Sequence, residues 1–197
     1  MNYLAHIHLA HLSGTSKLGN FLGDFVKGTN LQALPIHIQQ GIFLHRKIDS
    51  FTDSHPDIKA LKASMPNELR RMAGVIIDIY FDHLLSVQWH QYTKGSQQSI
   101  LNGFYEELAT QDITISPHFD GVKRGLLEYK WLGDYINQDA YLRAYKSIEQ
   151  RLKYKIVFAD HAFEYVGENR ERIKTSFDAF YPSLVNFTLA LSKQFDR

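Results

Sequence analysis

The sequence predicts an all-α protein that folds as a single-domain helical bundle. Three observations support this. Apolar residues recur at helical spacing along most of the chain, no stretch alternates apolar and polar residues as a strand would, and turn residues interrupt the pattern only briefly. A chain of 197 residues is long enough for one compact domain with a substantial core. Because no low-complexity tract or linker divides it, we expect residues 1–197 to form one domain.

Start and stop signals place the predicted helices. Ser13–Ser16 breaks the first amphipathic segment, Lys27-Gly28 resembles a helix C-terminus, and Pro35 suits a first helical position. Pro182 predicts a bend in the last helix. The predicted helices are Tyr3–Leu12, Leu18–Val26, Pro35 to about Ser50, one capped by residues 54–57, Leu69 to about Tyr92, Ile100–Ala109, Val122–Tyr135, Asp139 to about Val166, and Asn169–Phe195. A predicted loop at Thr110–Asp120, which holds Pro117, precedes Val122–Tyr135.

Composition excludes several classes of protein. The net charge of +1 gives no general case for nucleic-acid binding, and no apolar run is long enough to span a membrane. The first residues lack the basic start of a signal peptide, so we expect a cytoplasmic protein. The absence of cysteine removes disulfides, thiolate metal sites and cysteine nucleophiles, which leaves His, Asp and Glu to hold any metal ion.

Acidic residues and histidines inside three apolar helices are the strongest functional signal. His45/Asp49 and Asp78/Asp82 are spaced i, i+4, so each pair lies on one helix face. Unpaired buried carboxylates are costly, and a shared divalent ion is a common solution. The predicted metal ligands are Asp24, His45, Asp49, Asp78, Asp82 and His83.

Simpler interpretations stay open for each of these groups. In one interpretation, His45 and Asp49 form an ordinary hydrogen-bonded pair without a metal ion. In another, Asp78 and Asp82 are surface acids on an apolar helix. Asp53 is more typical of a structural residue than of a ligand. His6 and His8 point to different sides of a helix, so we expect at most one of them to reach a site.

Mixed His and Asp ligation suits Mn²⁺, Mg²⁺ or Fe²⁺ better than a structural zinc ion. The chain lacks the Glu-x-x-His pairs of di-iron bundles, the His-Glu-x-x-His of zincins, and a P-loop. Arg46 and Lys27 follow predicted ligands closely enough to hold an anionic group such as a phosphate.

Four segments in the first 90 residues carry a family resemblance. They are Asn2-Tyr3-Leu4-Ala5-His6, Gly19-Asn20-x-x-x-Asp24-Phe25-x-Lys27-Gly28, Gly41-Ile42-x-x-His45-Arg46-x-Ile48-Asp49-x-x-Thr52-Asp53, and Asp78-x-x-x-Asp82-His83-x-Leu85-x-x-x-Trp89. In order and spacing they resemble the bacterial acyl carrier protein phosphodiesterases.

The resemblance implies a Mn²⁺-dependent helical hydrolase distantly related to the HD phosphohydrolases. It also implies a reaction that removes 4′-phosphopantetheine from holo-acyl carrier protein and yields the apo-protein. The His-Asp doublet of the HD superfamily is absent from this chain, so the ligands are assigned from its own spacing. The predicted catalytic residues are Asp24, His45, Asp82, Arg46, and His6 as a proton donor to the leaving serine oxygen.

An acyl carrier protein is acidic, so we expect it to dock on a basic surface. Residues 121–155 carry an excess of Lys and Arg, although a solvated helix face explains this equally well. The predicted docking residues are Lys123, Arg124, Arg151, Lys153 and Lys155. Two other functions stay open: an HD-like phosphohydrolase acting on a nucleotide or another small phosphoester, and a non-catalytic helical binding module.

Overall fold

The computed structural model describes residues 1–111 and 113–195, and all regular structure within them is helical. The helices are α1 (Tyr3–Leu12), α2 (Lys17–Leu22), α3 (Ile36–Ser54), α4 (Pro56–Ala63), α5 (Asn67–Arg70), α6 (Ala73–Val87), α7 (Trp89–Tyr92), α8 (Gln97–Thr110), α9 (Pro117–Tyr129), a 3-10 helix (Trp131–Ile136), α10 (Gln138–Arg151), α11 (Ala159–Glu168) and α12 (Arg170–Ser192). The predicted all-α class is confirmed.

Helix α1 lies at the centre of the molecule. Every residue from Leu4 to Ala10 is buried, and the helix contacts α2, α3, α6, α8 and α12. We expected an amphipathic helix here, but the surrounding helices cover all of its sides. The buried apolar side chains form one contiguous core around it.

Helices α2 and α3 approach each other closely through two glycines. A Cβ atom at Gly41 would lie 2.7 Å from Cα of Gly19, and one at Gly19 would lie 2.6 Å from the carbonyl oxygen of Ile38. Neither position therefore tolerates a side chain without a backbone shift. This contact holds the end of α2 against the middle of α3, where His45 and Asp49 lie.

Tertiary contacts divide two of the long predicted helices. The segment from Leu69 to Tyr92 becomes the end of α5 followed by α6 and α7. The segment from Asp139 to Val166 breaks between α10 and α11, where Lys153 and Tyr154 adopt left-handed backbone conformations. Buried Glu149 accepts hydrogen bonds from the amides of Phe158 and Ala159 and so caps α11.

Other predicted boundaries move by a few residues. Helix α9 begins at Pro117, within the predicted loop, because Ser116 caps it by accepting a bond from the amide of Phe119. It ends at Tyr129, since Lys130 is left-handed. Part of the predicted loop, at residue 112, lies outside the described residues. Within the described part of the chain, no helix combines the length and the apolar character that crossing a bilayer requires.

Candidate metal centre

Three side chains from two helices converge at the centre of the bundle. Nε2 of His6 lies 3.1 Å from Oδ1 of Asp49, and Nε2 of His45 lies 3.0 Å from Oδ2 of the same carboxylate. One ligand atom from each of the three residues lies within 4.8 Å of the other two. Neighbouring ligands of an octahedral divalent ion with bonds of about 2.1 Å are about 3 Å apart. The donor types and these separations therefore fit a small divalent cation.

The α3 pair has the relationship that its spacing predicts. His45 and Asp49 are one turn apart, and their side chains meet on the face of α3 that points toward α1. The His45 ring stacks on that of His6, with centroids 4.1 Å apart. Gly23 lies against the same ring and leaves room for it.

Asn20 fixes the orientation of His6. The ring nitrogen Nδ1 lies 2.8 Å from Oδ1 of Asn20, and both side chains are fully buried. Because this amide oxygen can only accept, Nδ1 carries the proton of the bond, and Nε2 then presents its lone pair toward Asp49. Burial and neighbouring His45 both lower the pKa of His6, which favours the neutral ring.

Asp49 is ionised in this setting. Burial opposes its charge, but the hydrogen bond with His45 and the positive charge of the nearby Met1 amine favour the ionised form, and the pKa of Asp49 lies well below its usual range. The α-amino group of Met1 lies 3.3 Å from Oδ1 of Asp49 and 3.4 Å from Oδ2 of Asp78. Burial lowers the pKa of this amine, but the two carboxylates outweigh it and raise the pKa to about 10.

Asp24 and Asp78 lie at the edge of the cluster. Oδ1 of Asp24 is 3.8 Å from Nε2 of His45, and its side chain is 41% exposed. Asp78 reaches the cluster through Met1 and is 29% exposed. Both predicted ligands are thus brought to the same region, on its solvent side.

Asp82 has a different environment from that expected of a ligand. It is fully buried, and its two oxygens each accept a hydrogen bond of 2.9 Å, one from the amide of Leu4 and one from that of Ala5. The carboxylate therefore caps the N-terminus of α1 from a neighbouring helix. Burial raises the pKa of Asp82 to about 7, although the two amide bonds oppose the change.

His83 likewise contacts groups outside the cluster of His6, His45 and Asp49. Its Nδ1 lies 2.7 Å from the carbonyl oxygen of Tyr135 in the 3-10 helix, so this nitrogen donates to the backbone. The Tyr135 hydroxyl in turn accepts a bond of 3.1 Å from the side chain of Asn2. Burial lowers the pKa of His83. Asp82 and His83 thus both form hydrogen bonds with backbone groups in this structure. Their spacing predicted that they would instead face a metal ion.

The two predicted phosphate contacts do not line the cluster. The guanidinium of Arg46 donates to the carbonyl oxygen of Val26 at 3.0 Å and so holds the segment after α2. Lys27 is exposed in that segment. Arg46 thus forms a hydrogen bond with backbone, and neither residue belongs to the group of His6, His45 and Asp49.

The predicted docking residues lie along α9, α10 and the turn after α10. Arg124, Arg151, Lys153 and Lys155 are exposed there, whereas Nζ of Lys123 donates to the carbonyl oxygen of Gln111 at 2.9 Å. Two large apolar side chains, Tyr154 and Val157, are 62% and 71% exposed beside them. This surface therefore combines positive charge with exposed apolar groups.

Reasoning from spacing missed two contributors to the site. The His6 ring was expected to act only as a proton donor, and Asn20 had no assigned role. Both belong to the segments that carry the family resemblance, which was the only signal available for them. No helical period relates α1 to α3, because their proximity is a tertiary contact.

The structure is thus an all-α bundle in which two buried imidazoles and a partly exposed carboxylate form a group of the kind that can hold a metal ion. The family of acyl carrier protein phosphodiesterases matches residues 1–184. The chain belongs to this family, whose members are hydrolases of phosphodiester bonds.

Curated relatives agree with this assignment. An acyl carrier protein phosphodiesterase of Enterobacter sp. (strain 638) is 33% identical over 189 residues, which cover 94% of this chain and 96% of the relative. Those of Salmonella agona (strain SL483) and Salmonella newport (strain SL254) are each 30% identical over 186 residues, with the same coverage. No solved structure matches the chain.

Proposed function

We propose that this protein hydrolyses the phosphodiester that joins 4′-phosphopantetheine to the serine of holo-acyl carrier protein, and that it uses a divalent ion held by His6, His45 and Asp49. The reaction adds water across the bond between phosphorus and the serine oxygen. The products are apo-acyl carrier protein and free 4′-phosphopantetheine. Membership of the family and the names of its curated relatives support the substrate.

The proposal of a metal ion rests on the contact between His6 Nε2 and Asp49 Oδ1. The lone pair of His6 Nε2 faces an ionised carboxylate oxygen at 3.1 Å, and two electron-rich atoms at that distance need a cation or a proton between them. Burial disfavours a protonated His6. A divalent ion satisfies both atoms, together with His45 Nε2, without placing a proton on a buried ring.

We assign Asp24 and Asp78 to the solvent side of this ion and Mn²⁺ as its preferred identity, with Mg²⁺ or Fe²⁺ as alternatives. When bound, the ion supplies an acidified water and neutralises charge on the phosphate. To Asp24, at the exposed edge, we assign the role of general base, which would accept a proton from the attacking water. Asn20 orients His6 for this role, since its side-chain oxygen accepts from Nδ1 and leaves Nε2 for the ion.

The basic and apolar surface after α10 is the proposed docking site for the acidic carrier protein. Arg124, Lys153 and Lys155 supply positive charge, and Tyr154 supplies exposed apolar area between the two lysines. Such charge complementarity mainly accelerates encounter, so the dependence on salt should be marked. A cytoplasmic location and a distant relationship to the HD phosphohydrolases stay predictions.

Intact mass spectrometry of holo-acyl carrier protein tests the proposal. We expect loss of the phosphopantetheine mass with wild-type protein and Mn²⁺, no loss with EDTA, and a loss of activity of at least about 100-fold in Asp49→Asn. The matched control is Asp53→Asn. Asp53 lies on the same helix but pairs with Lys62 at 2.7 Å, outside the cluster. Full activity in EDTA would refute the metal, and no cleavage by metal-loaded wild type would refute the substrate.

A further inference from the structure

A cleft of about 340 Å³ lies beside the metal centre. Its apolar wall includes Trp131, Ile148 and Ala144, and its polar groups include Tyr3 and Arg151. The volume lies within the range of small-molecule sites, in which a few polar groups on an apolar wall fix the orientation of a ligand. None of the residues predicted to hold the metal lines this cleft.

The cleft adjoins the cluster through two residues that line it. Asn2 follows Met1, whose amino group lies 3.3 Å from Asp49, and Ile79 follows Asp78. The cleft and the cluster are therefore lined by adjacent residues of the chain.

Two arginines bring positive charge to the lining of the cleft. Arg151 lines the cleft and is exposed, and it makes no ion pair with any residue in the described ranges 1–111 and 113–195. Burial raises the pKa of the Tyr3 hydroxyl, nearby Asp24 raises it further, and Arg151 lowers it. The Tyr3 hydroxyl therefore lies within electrostatic range of the Asp24 carboxylate, at the edge of the cluster, and of the Arg151 guanidinium, in the lining of the cleft. Arg143, also in the lining, forms only a long, exposed contact of 3.7 Å with Asp134.

A second groove adjoins the cleft. It shares Val122, Trp131 and Ser147 with the first and extends along α9 past Gly121 and Gly125. A Cβ atom at either glycine would meet no other atom within 4 Å, so this floor is open. The lining of the combined channel is mostly apolar and carries two arginines, Arg143 and Arg151, against one carboxylate, Asp134, which suits an uncharged chain that ends in a phosphate.

We propose that this channel binds the phosphopantetheine arm of the substrate, with Arg151 holding the phosphate and Trp131 packing against the chain. This assignment rests on the proposed function. It gives Arg151 a role distinct from protein docking, and it supplies the phosphate contact that Arg46, bound to backbone, does not provide. Arg151 is therefore a substrate-binding residue in the lining of the channel.

Two variants test the channel. Ala144→Trp places a large ring in the cleft, and Ala109→Trp is its control on the exposed face of α8. Arg151→Ala removes the phosphate contact without disturbing the core, and Arg172→Ala is its exposed control on α12. The two readouts are binding of free 4′-phosphopantetheine by calorimetry in the presence of Mn²⁺, and kcat and KM for holo-acyl carrier protein. Circular dichroism checks the fold of each variant.

We expect Ala144→Trp and Arg151→Ala each to weaken binding of free 4′-phosphopantetheine by at least about tenfold and to lower kcat/KM similarly, while both controls bind as the wild type does. Wild-type binding by Arg151→Ala would overturn the assignment, even if Ala144→Trp failed to fold. Because the free compound has no protein portion, Lys153→Ala should bind it normally, and a defect there equal to that of Arg151→Ala would also refute the channel. If wild type binds the compound but does not cleave the carrier protein, the proposed reaction fails and the channel stands.

Discussion

Gly23 and His45 are in direct contact, and the missing side chain of Gly23 is what admits the His45 ring. A Cβ atom at Gly23 would lie 2.2 Å from Cγ of His45 and 2.3 Å from its Cδ2. No rotation of a methyl group relieves such a distance, so either the ring or the end of α2 would have to move. The glycine is thus part of the metal centre although it supplies no ligand.

Gly23→Ala should therefore disable the centre while leaving most of the fold intact. We expect loss of Mn²⁺ binding by calorimetry and a fall in activity of at least about tenfold. Gly103→Ala is the control, because a Cβ atom there meets nothing within 4 Å. It should retain activity and gain up to about 1 kcal/mol in the free energy of unfolding, since alanine favours a helix interior. Normal Mn²⁺ affinity in Gly23→Ala would contradict the described geometry.

Mn²⁺ should stabilise the wild-type protein against heat. A ligand that binds only the folded state at 100 times its Kd adds about 2.7 kcal/mol to the free energy of unfolding. His45→Ala should lose this gain, while His161→Ala, an exposed substitution on α11, should keep it. Differential scanning calorimetry with and without EDTA measures the difference. Equal stabilisation of His45→Ala and wild type would remove His45 from the ligand set.

Asp82→Ala separates helix capping from metal ligation. The substitution leaves the buried amides of Leu4 and Ala5 without acceptors, and each unsatisfied buried group costs about 1–3 kcal/mol. We expect urea unfolding to show a loss of about 2–4 kcal/mol in stability, with weaker Mn²⁺ binding only as a consequence of a displaced α1. If the variant is as stable as wild type yet binds no Mn²⁺, Asp82 is a direct ligand, as its spacing with Asp78 predicted.

His8 should make the protein sensitive to acid. Its ring is fully buried, with Nδ1 2.8 Å from the hydroxyl of Tyr181 and the ring edge against Trp89. Burial, with a smaller effect of His11, lowers the pKa of His8 to about 3. Below the unfolded pKa of about 6.5, the unfolded chain binds a proton that the folded chain does not. Stability is thus present above about pH 6.5 and falls by up to about 1.4 kcal/mol per pH unit on acidification toward pH 3.

His8→Gln checks this effect, because glutamine keeps a hydrogen-bonding group toward Tyr181 and does not titrate in this range. We expect the difference in stability between wild type and variant, measured by urea unfolding in EDTA, to shift in favour of the variant as the pH falls from 6.5 to 4. A difference that is constant over this range would show that His8 titrates alike in the folded and unfolded chains.

Much of the site could be predicted from residue types and helical spacing. The pair of His45 and Asp49 lies as the i, i+4 rule requires, because both residues belong to one continuous helix. Asp24 and Asp78 also lie near that pair, and their role as ligands stays a prediction. Spacing could not show that Asp78 and Asp82 have different roles, because the two residues lie one turn apart on the same face of one helix. In the fold one points to the cluster and the other caps α1.

The sequence by itself determined the all-α class, the family, and the residue types that gather at the centre. These follow from short-range periodicity and from local segments, which act over one or two helical turns. Tertiary structure alone decided that His6 joins His45 and Asp49, that Arg46 is bound to backbone, and that Arg151 stands beside a cleft next to the cluster. Those relationships depend on how α1, α3 and α10 pack, and contacts between residues far apart in the chain leave no period in the sequence.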